Sequence, residues 1–227
     1  LCRAGFDWVL IDMEHSPADL QTLVAQLQAM GASGVVPLVR APWNDLVWIK
    51  RILDAGAYGV MIPSVNTREQ AIAAVQACKY PPVGIRGIAG SPRAAGFGRD
   101  TSAYLKRAND ELLVILQVET PQAIENLDAI GKVPGVDALF IGPMDLSTSM
   151  GHLGNPAHPE VQAAIATVEA KAKALGMPLG TVSAGWEQAK MLYDRGYQLI
   201  TLLSDVILLS RASAEALAKF REAFPQG

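Results

Sequence analysis

Four short stretches carry residue types that can do acid–base or metal chemistry. Gln117-Val118-Glu119 closes the apolar, β-branched run Val114-Ile115-Leu116. In the same way Asp12-Met13-Glu14-His15 follows Trp8-Val9-Leu10-Ile11, Arg40 closes the run from Val35 to Val39, and Asp145 follows Ala138-Leu139-Phe140-Ile141. A carboxylate buried alone costs several kcal/mol, so Glu119 must be paired, metal-bound or at the exposed end of a strand. Gln117 and Glu119 are two residues apart and project from one face of a strand.

The set is chemically coherent. Two carboxylates, Glu119 and Asp145, leave most octahedral positions to water and substrate, and oxygen ligands suit a hard divalent ion such as Mg2+ or Mn2+. A metal chelated by a 2-oxo acid acts as a Lewis acid and stabilises an enolate. Arg40 would bind the oxo group or carboxylate and stabilise developing negative charge. His15 is the one histidine at a predicted strand end, and imidazole titrates near neutrality, at about 6.5. Each residue also has a bland reading. A polar residue closing a strand is most often a turn former or a cap, Asp145 before Leu146-Ser147 included. His15 alone reads as a solvated loop histidine and Arg40 alone as a surface charge, and His152 and His158 are expected to be structural. Convergence on one rim is what favours function.

The elements that must position these groups alternate in type. Strands are predicted at 8–12, 35–39, 58–62, 114–120, 138–142, 178–182 and 199–203. Helices are predicted at 17–30, from a cap at Asn44 or Asp45 to about Asp54, at 67–78, near 102–109, from Pro121, at 158–175, at 187–195, and in a last stretch to about Phe220. Residues 1–6 read as the tail of a helix stopped by Gly5. Seven strands, each followed by a helix, imply a parallel sheet with right-handed crossovers. A closed barrel of this kind needs eight strands and usually about 250 residues. The expectation is one domain over residues 1–227, a (β/α)8 TIM barrel whose first β/α unit is absent from this sequence. An open doubly wound sheet is the alternative, but no Gly-rich phosphate fingerprint opens the first unit. The Gly/Pro-rich stretch 81–98, with Arg86 and Arg93, is predicted to be a long functional loop.

Composition narrows the classes. Half of the 227 residues are hydrophobic and the formal charge is -3, which argues against a nucleic-acid partner. No apolar run approaches the ~20 residues that span a bilayer, and no signal peptide is visible. Cys2 and Cys78 suggest neither a disulfide framework nor a zinc cluster, so reduced thiols in the cytoplasm are expected. No lysine falls at a predicted strand end, which disfavours imine-forming aldolases. No G-x-S-x-G elbow supports a hydrolase.

Four separated motifs, Gly5-Phe6-Asp7-Trp8-Val9-Leu10-Ile11-Asp12-Met13-Glu14-His15, Tyr80-Pro81-Pro82-Val83-Gly84-Ile85-Arg86-Gly87, Gln117-Val118-Glu119-Thr120 and Phe140-Ile141-Gly142-Pro143-Met144-Asp145-Leu146-Ser147, resemble the HpcH/HpaI family of metal-dependent pyruvate aldolases. The resemblance runs along the whole chain. It implies a TIM barrel, a divalent metal (Mg2+, Mn2+ or Co2+), and reversible cleavage of 4-hydroxy-2-oxo acids to an aldehyde and pyruvate, with hydroxypyruvate as a conceivable donor. It makes His15 the general base, Arg40 the transition-state arginine, Glu119 and Asp145 the metal ligands, and Gln117 a pyruvate contact. Met144 and Asp145 match positions that bind the pyruvate carboxylate through backbone groups. Asp54 matches an aspartate that raises the basicity of the histidine, although a helix end should lie at the opposite end of the barrel. A neighbouring subunit or a bent connection would reconcile the two. Residues 90–94 look closer to the sugar-acid aldolases, which makes Arg93, with Val182, a candidate for the acceptor side. The resemblance further implies a hexamer with the last helix exchanged between partners. Two rival readings are a lyase for acyl-CoA thioesters of hydroxy acids, of the citrate lyase or malyl-CoA lyase type, and a non-catalytic barrel that binds a metal or organic acid.

Overall fold

A computed structural model describes residues 1–225. The apolar runs become strands β1 (Trp8–Asp12), β2 (Val36–Arg40), β3 (Gly59–Ile62), β4 (Leu113–Val118), β5 (Ala138–Ile141), β6 (Leu179–Val182) and β7 (Leu199–Thr201). All pair in parallel, and their order in the sheet is their order in the chain. The helices are α1 (Leu20–Met30), α2 (Leu46–Ala55), α3 (Arg68–Cys78), α4 (Thr101–Glu111), α5 (Pro121–Glu125), α6 (Leu127–Gly131), α7 (Pro143–Ser149), α8 (Pro159–Leu175), α9 (Trp186–Asp194) and α10 (Asp205–Ala223). No helix among the described residues is long and apolar enough to cross a membrane.

Local signals set the boundaries. Asp19 accepts the Thr22 N–H at 2.8 Å, so α1 starts after Pro17 and Ala18 rather than at them. Asp45 caps α2, and Gly56, at φ 103°, ends it in the left-handed region where only glycine is unstrained. Thr67 and Gln70 form a capping box on α3. The helix predicted from Pro121 is split at Asn126, whose amide turns away to the Asn66 carbonyl at 2.9 Å. Residues 1–6 are not a helix tail. They hold a single turn, from the Ala4 N–H to the Leu1 carbonyl at 2.8 Å, which Gly5 ends at φ 91°. Within the loop at 81–98, Arg93–Gly98 forms 3-10 turns.

Alternation along each strand sorts the side chains into two layers. One face of the sheet meets the helices in a large core that includes Val39, Val60, Val114, Leu116 and Leu139. The other face gathers Leu38, Met61, Ile115, Ala138 and Phe140 into a smaller cluster. Trp8 and Leu10 from β1 and Leu199 from β7 pack on that same small cluster, so the two ends of the sheet curl towards one interior. The interior rows continue upward to polar groups at the strand ends. Leu38 leads to Arg40, Leu10 to Asp12, and Ile115 through Gln117 to Glu119. The curled parallel sheet is thus a partial barrel with a dry floor and a charged rim.

Candidate active site

Strand register makes the first half of the site. Asp12 and Arg40 are direct partners in the β1–β2 ladder. Their side chains meet above it, with Arg40 Nε donating to Asp12 Oδ1 at 2.9 Å and Nη2 to Oδ2 at 2.6 Å. The backbone N–H of Glu14, at 2.9 Å, and of His15, at 3.3 Å, also donate to Asp12 Oδ1. One carboxylate therefore fixes both the arginine and the turn that bears the histidine. Burial pushes the Asp12 carboxyl up, but the hydrogen bonds and charge of Arg40 outweigh it and leave the group below its ordinary value.

Glu14 joins the two sides. Its Oε2 lies 3.2 Å from Arg40 Nη1 and 3.7 Å from His15 Nε2. Burial raises its carboxyl, the charge of Arg40 offsets part of that, and nearby Glu119 raises it again. His15 projects beyond it with 60% of its side chain exposed, placing an imidazole at the mouth of the rim.

The second half is built on β4 and β5. Glu119 is 5% exposed, and both of its carboxylate oxygens already have donors. Oε1 accepts the Ser64 N–H at 2.6 Å and the Ser64 hydroxyl at 3.2 Å, and Oε2 accepts Gln117 Nε2 at 2.7 Å. Burial pushes its carboxyl up, Ser64 pulls it down, and the charge of Asp145 pushes it up again. A buried carboxylate raised by the charge of a second one is an electrostatic liability that a divalent cation would remove. Gln117 is 1% exposed and its Oε1 has no partner among the described residues, an orphan acceptor inside the barrel. Gly142 leaves the Glu119 carboxylate its place, because a Cβ there would stand 2.9 Å from Oε2 and push it aside. Asp145 lies in the first turn of α7 and is exposed at the rim, as is its neighbour Met144.

The structure thus brings Asp12, Glu14, His15, Arg40, Gln117, Glu119 and Asp145 to one end of the sheet. Val182 also stands at that end, as the last residue of β6, and is 42% exposed. Two sequence expectations land elsewhere. Arg93 donates to the Ala55 carbonyl at 2.9 Å and the Leu27 carbonyl at 3.0 Å. Those carbonyls belong to the C-terminal turns of α2 and α1, which lead back to the start of the next strand, so the guanidinium clamps the end opposite the rim. Asp54, also at the end of α2, pairs with Arg86 at 2.7 Å and has no contact with His15 in the same chain. Arg86 faces no open anion site either. It is 2% exposed, 4.5 Å from the centroid of the Tyr80 ring and 3.0 Å from the Tyr104 hydroxyl. Lys79, the buried lysine, donates to the carbonyls of Asn109 and Leu112 just before β4, far from the rim.

Ser64 escaped the sequence reading. It sits at φ 55°, a left-handed conformation unusual for a residue with a side chain, and this bend is what aims its N–H at Glu119. Asn66 supports it, donating to the Ser64 carbonyl at 3.3 Å while accepting from the Thr120 hydroxyl. A serine before an Asn-Thr cap looks in sequence like any turn former, so only the fold could reveal it.

Residues 1–212 match the family model described as HpcH/HpaI aldolase/citrate lyase. Over 218 residues the chain is 46% identical to a 2-dehydro-3,6-dideoxy-6-sulfogluconate aldolase of Pseudomonas putida, covering 96% of this chain and 85% of that protein. It is 44% identical over 218 residues to a 4-hydroxy-2-oxo-heptane-1,7-dioate aldolase of Shigella sonnei, covering 96% and 83%. The crystal structure of an HpcH/HpaI aldolase/citrate lyase family protein from Burkholderia cenocepacia superposes with a TM-score of 0.93 at 41% identity, over 97% of this chain and 88% of that one.

Proposed function

Because the chain belongs to the HpcH/HpaI aldolase/citrate lyase family, we propose that its rim cleaves 4-hydroxy-2-oxo acids to pyruvate and an aldehyde, with Glu119 and Asp145 holding a divalent metal. The chain is an aldolase, a carbon–carbon lyase. The carrying observation is the convergence of a fixed guanidinium, an exposed imidazole, and a buried Glu119 carboxylate raised by the charge of the exposed Asp145, at one end of a parallel sheet. The donor set is all oxygen, which fits Mg2+, Mn2+ or Co2+. When bound, such an ion supplies Lewis acidity and a chelation point for the carboxylate and oxo oxygens of the substrate.

The chain's own residues do the rest. Of the five N–H groups of a guanidinium, two of Arg40 donate to Asp12, Nη1 forms an ion pair with Glu14, and the remaining donors are left for a substrate oxygen. They are aimed in advance, so donation to the oxygen that becomes negative costs no reorganisation. His15, through a water, takes the proton of the C4 hydroxyl. The C3–C4 bond then breaks, its electron pair passes to C3, and the aldehyde departs. Protonation of the resulting enolate at C3 gives pyruvate. Gln117 orients the bound acid from below, and the backbone at Met144 and Asp145 receives its carboxylate. Val182 borders the side on which the aldehyde leaves.

We infer a wider reading as well. The seven-stranded sheet is part of a (β/α)8 barrel, the protein works in the cytoplasm, and it assembles from several copies. All of α10 is solvent-exposed in the single chain, including Val206, Leu209 and Phe220, which suits a helix seated on another copy. In such an assembly Asp54 would reach the His15 of a neighbour.

Removal and restoration of metal tests this reading. Chelation should abolish pyruvate release from a panel of 4-hydroxy-2-oxo acids, and Mg2+, Mn2+ or Co2+ should restore it. Glu119→Ala should weaken metal binding first and lose activity as a consequence. Full turnover in metal-free buffer would overturn the assignment.

A further inference from the structure

The connection between α7 and α8 brings together three side chains that the aldol chemistry does not use. His152 follows α7, His158 is the residue before α8, and Glu160 lies in the first turn of α8. The two imidazoles stack with centroids 3.5 Å apart and planes 16° from parallel. His152 Nε2 lies 2.8 Å from Glu160 Oε2. One ligand-capable atom from each of the three falls within 4.8 Å of the other two. Among the described residues this is the one group of three or more His, Cys, Asp or Glu side chains that converges so closely.

The backbone holds the group in place. The His152 N–H donates to the Ser147 carbonyl at 2.8 Å, the Asn155 N–H to the His152 carbonyl at 2.9 Å, and the His158 N–H to the Asn155 carbonyl at 3.1 Å. Gln162 closes the same turn from α8, through the Pro156 carbonyl at 2.8 Å. An ordinary ion pair explains His152 with Glu160, and helix capping explains His158 with the Glu160 N–H. Neither explains a second imidazole laid on the first beside a carboxylate.

We propose that His152, His158 and Glu160 form a second divalent-metal site, with two imidazoles and one carboxylate as ligands. That donor set suits Zn2+ or Co2+, whereas the carboxylate pair at the rim suits harder ions. Parallel rings direct their lone pairs side by side, so one ring turns out of the stack to share an ion with the other. The site opens to solvent on the Glu160 side, where that side chain is 70% exposed against 21% for His152, which leaves room for water in the remaining position. The bound ion ties the turn anchored on Ser147, in the helix that carries Asp145, to the first turn of α8. It is a staple behind the rim rather than part of the reaction, and the inference is independent of the aldolase reading.

Metal counting tests it on the full chain. The unmodified protein, stripped by chelation and titrated with Co2+ under calorimetry and visible absorption, should take up two ions per chain. His152→Ala and His158→Ala should each take up one while keeping Mg2+-dependent pyruvate release. Glu119→Ala should also take up one, now with the visible band of nitrogen-ligated Co2+. If the rim pair holds no Co2+, the unmodified chain should take up one ion and His158→Ala none, which still supports the staple. Co2+ uptake that is the same in the unmodified chain, His152→Ala and His158→Ala would overturn it.

Discussion

A guanidinium held between two carboxylates has lost most of its freedom, and at Arg40 that loss is what the proposed mechanism draws on. Arg40→Ala should lower turnover by about 10²- to 10³-fold, the usual cost of removing one preorganised donor, while metal binding survives. Arg40→Lys should not rescue it, because an ammonium cannot span both Asp12 oxygens. Near-normal turnover in either variant would remove Arg40 from the mechanism. Asp12 gives a pH signature. Its folded-state pKa lies below the ordinary value of 3.8, so its pairing adds stability that is fully present above that value and is lost as pH falls through the lower folded value. The stability gap between the protein and Asp12→Asn should hold steady in denaturant titrations above about pH 5 and shrink towards pH 2. Residues that close strands were legible in the sequence because their chemistry is written in their type. Arg86 and Arg93 were not, since an arginine facing a ligand and one clamping helix ends have the same letter.

At the scale of elements, the connection from β3 to α3 and the packing of α2 matter most. Ser64, Asn66, Thr120 and Asn126 form a chain of hydrogen bonds from that connection to α5 and α6, and its end point is the Glu119 carboxylate. Asn66→Ala should loosen Ser64 and weaken metal binding about 10- to 100-fold, the usual cost of a lost supporting contact, with the far-ultraviolet circular dichroism unchanged. Behind α2, Arg86 is buried against two tyrosines and has Asp54 as its counter-ion. Asp54→Ala leaves that charge unpaired and should cost about 3 kcal/mol in denaturant unfolding, whereas replacing both partners with apolar residues should cost much less. Mixing inactive Asp54→Ala with inactive His15→Ala protein should restore part of the activity if the aspartate serves a neighbouring copy. Strand and helix types were legible from periodicity and caps. The left-handed bend at Ser64 and the break at Asn126 were not, because each depends on a partner more than fifty residues away.

For the molecule as a whole, the exposed face of α10 is the feature that solvent tolerates least. Leu209 and Phe220 are 71% and 60% exposed, so Leu209→Asp with Phe220→Glu should reduce the mass measured by light scattering. An unchanged mass would place the contact between copies elsewhere. The seven-fold β/α rhythm was legible throughout, because a parallel sheet buried on both faces needs near-continuous apolar strands. How the ends of that sheet come together was not, since curvature is a property of packing rather than of any one strand. The agreement of sheet order with chain order also bears on how the protein is made. In such an order each strand can pair with its neighbour once the next β/α unit leaves the ribosome, without waiting for a distant partner. The Asp12–Arg40 clasp needs only β1 and β2, and Glu119 arrives two strands later. On the proposed mechanism, the half of the centre that handles the substrate oxygen can then form during synthesis before the half that captures the ion.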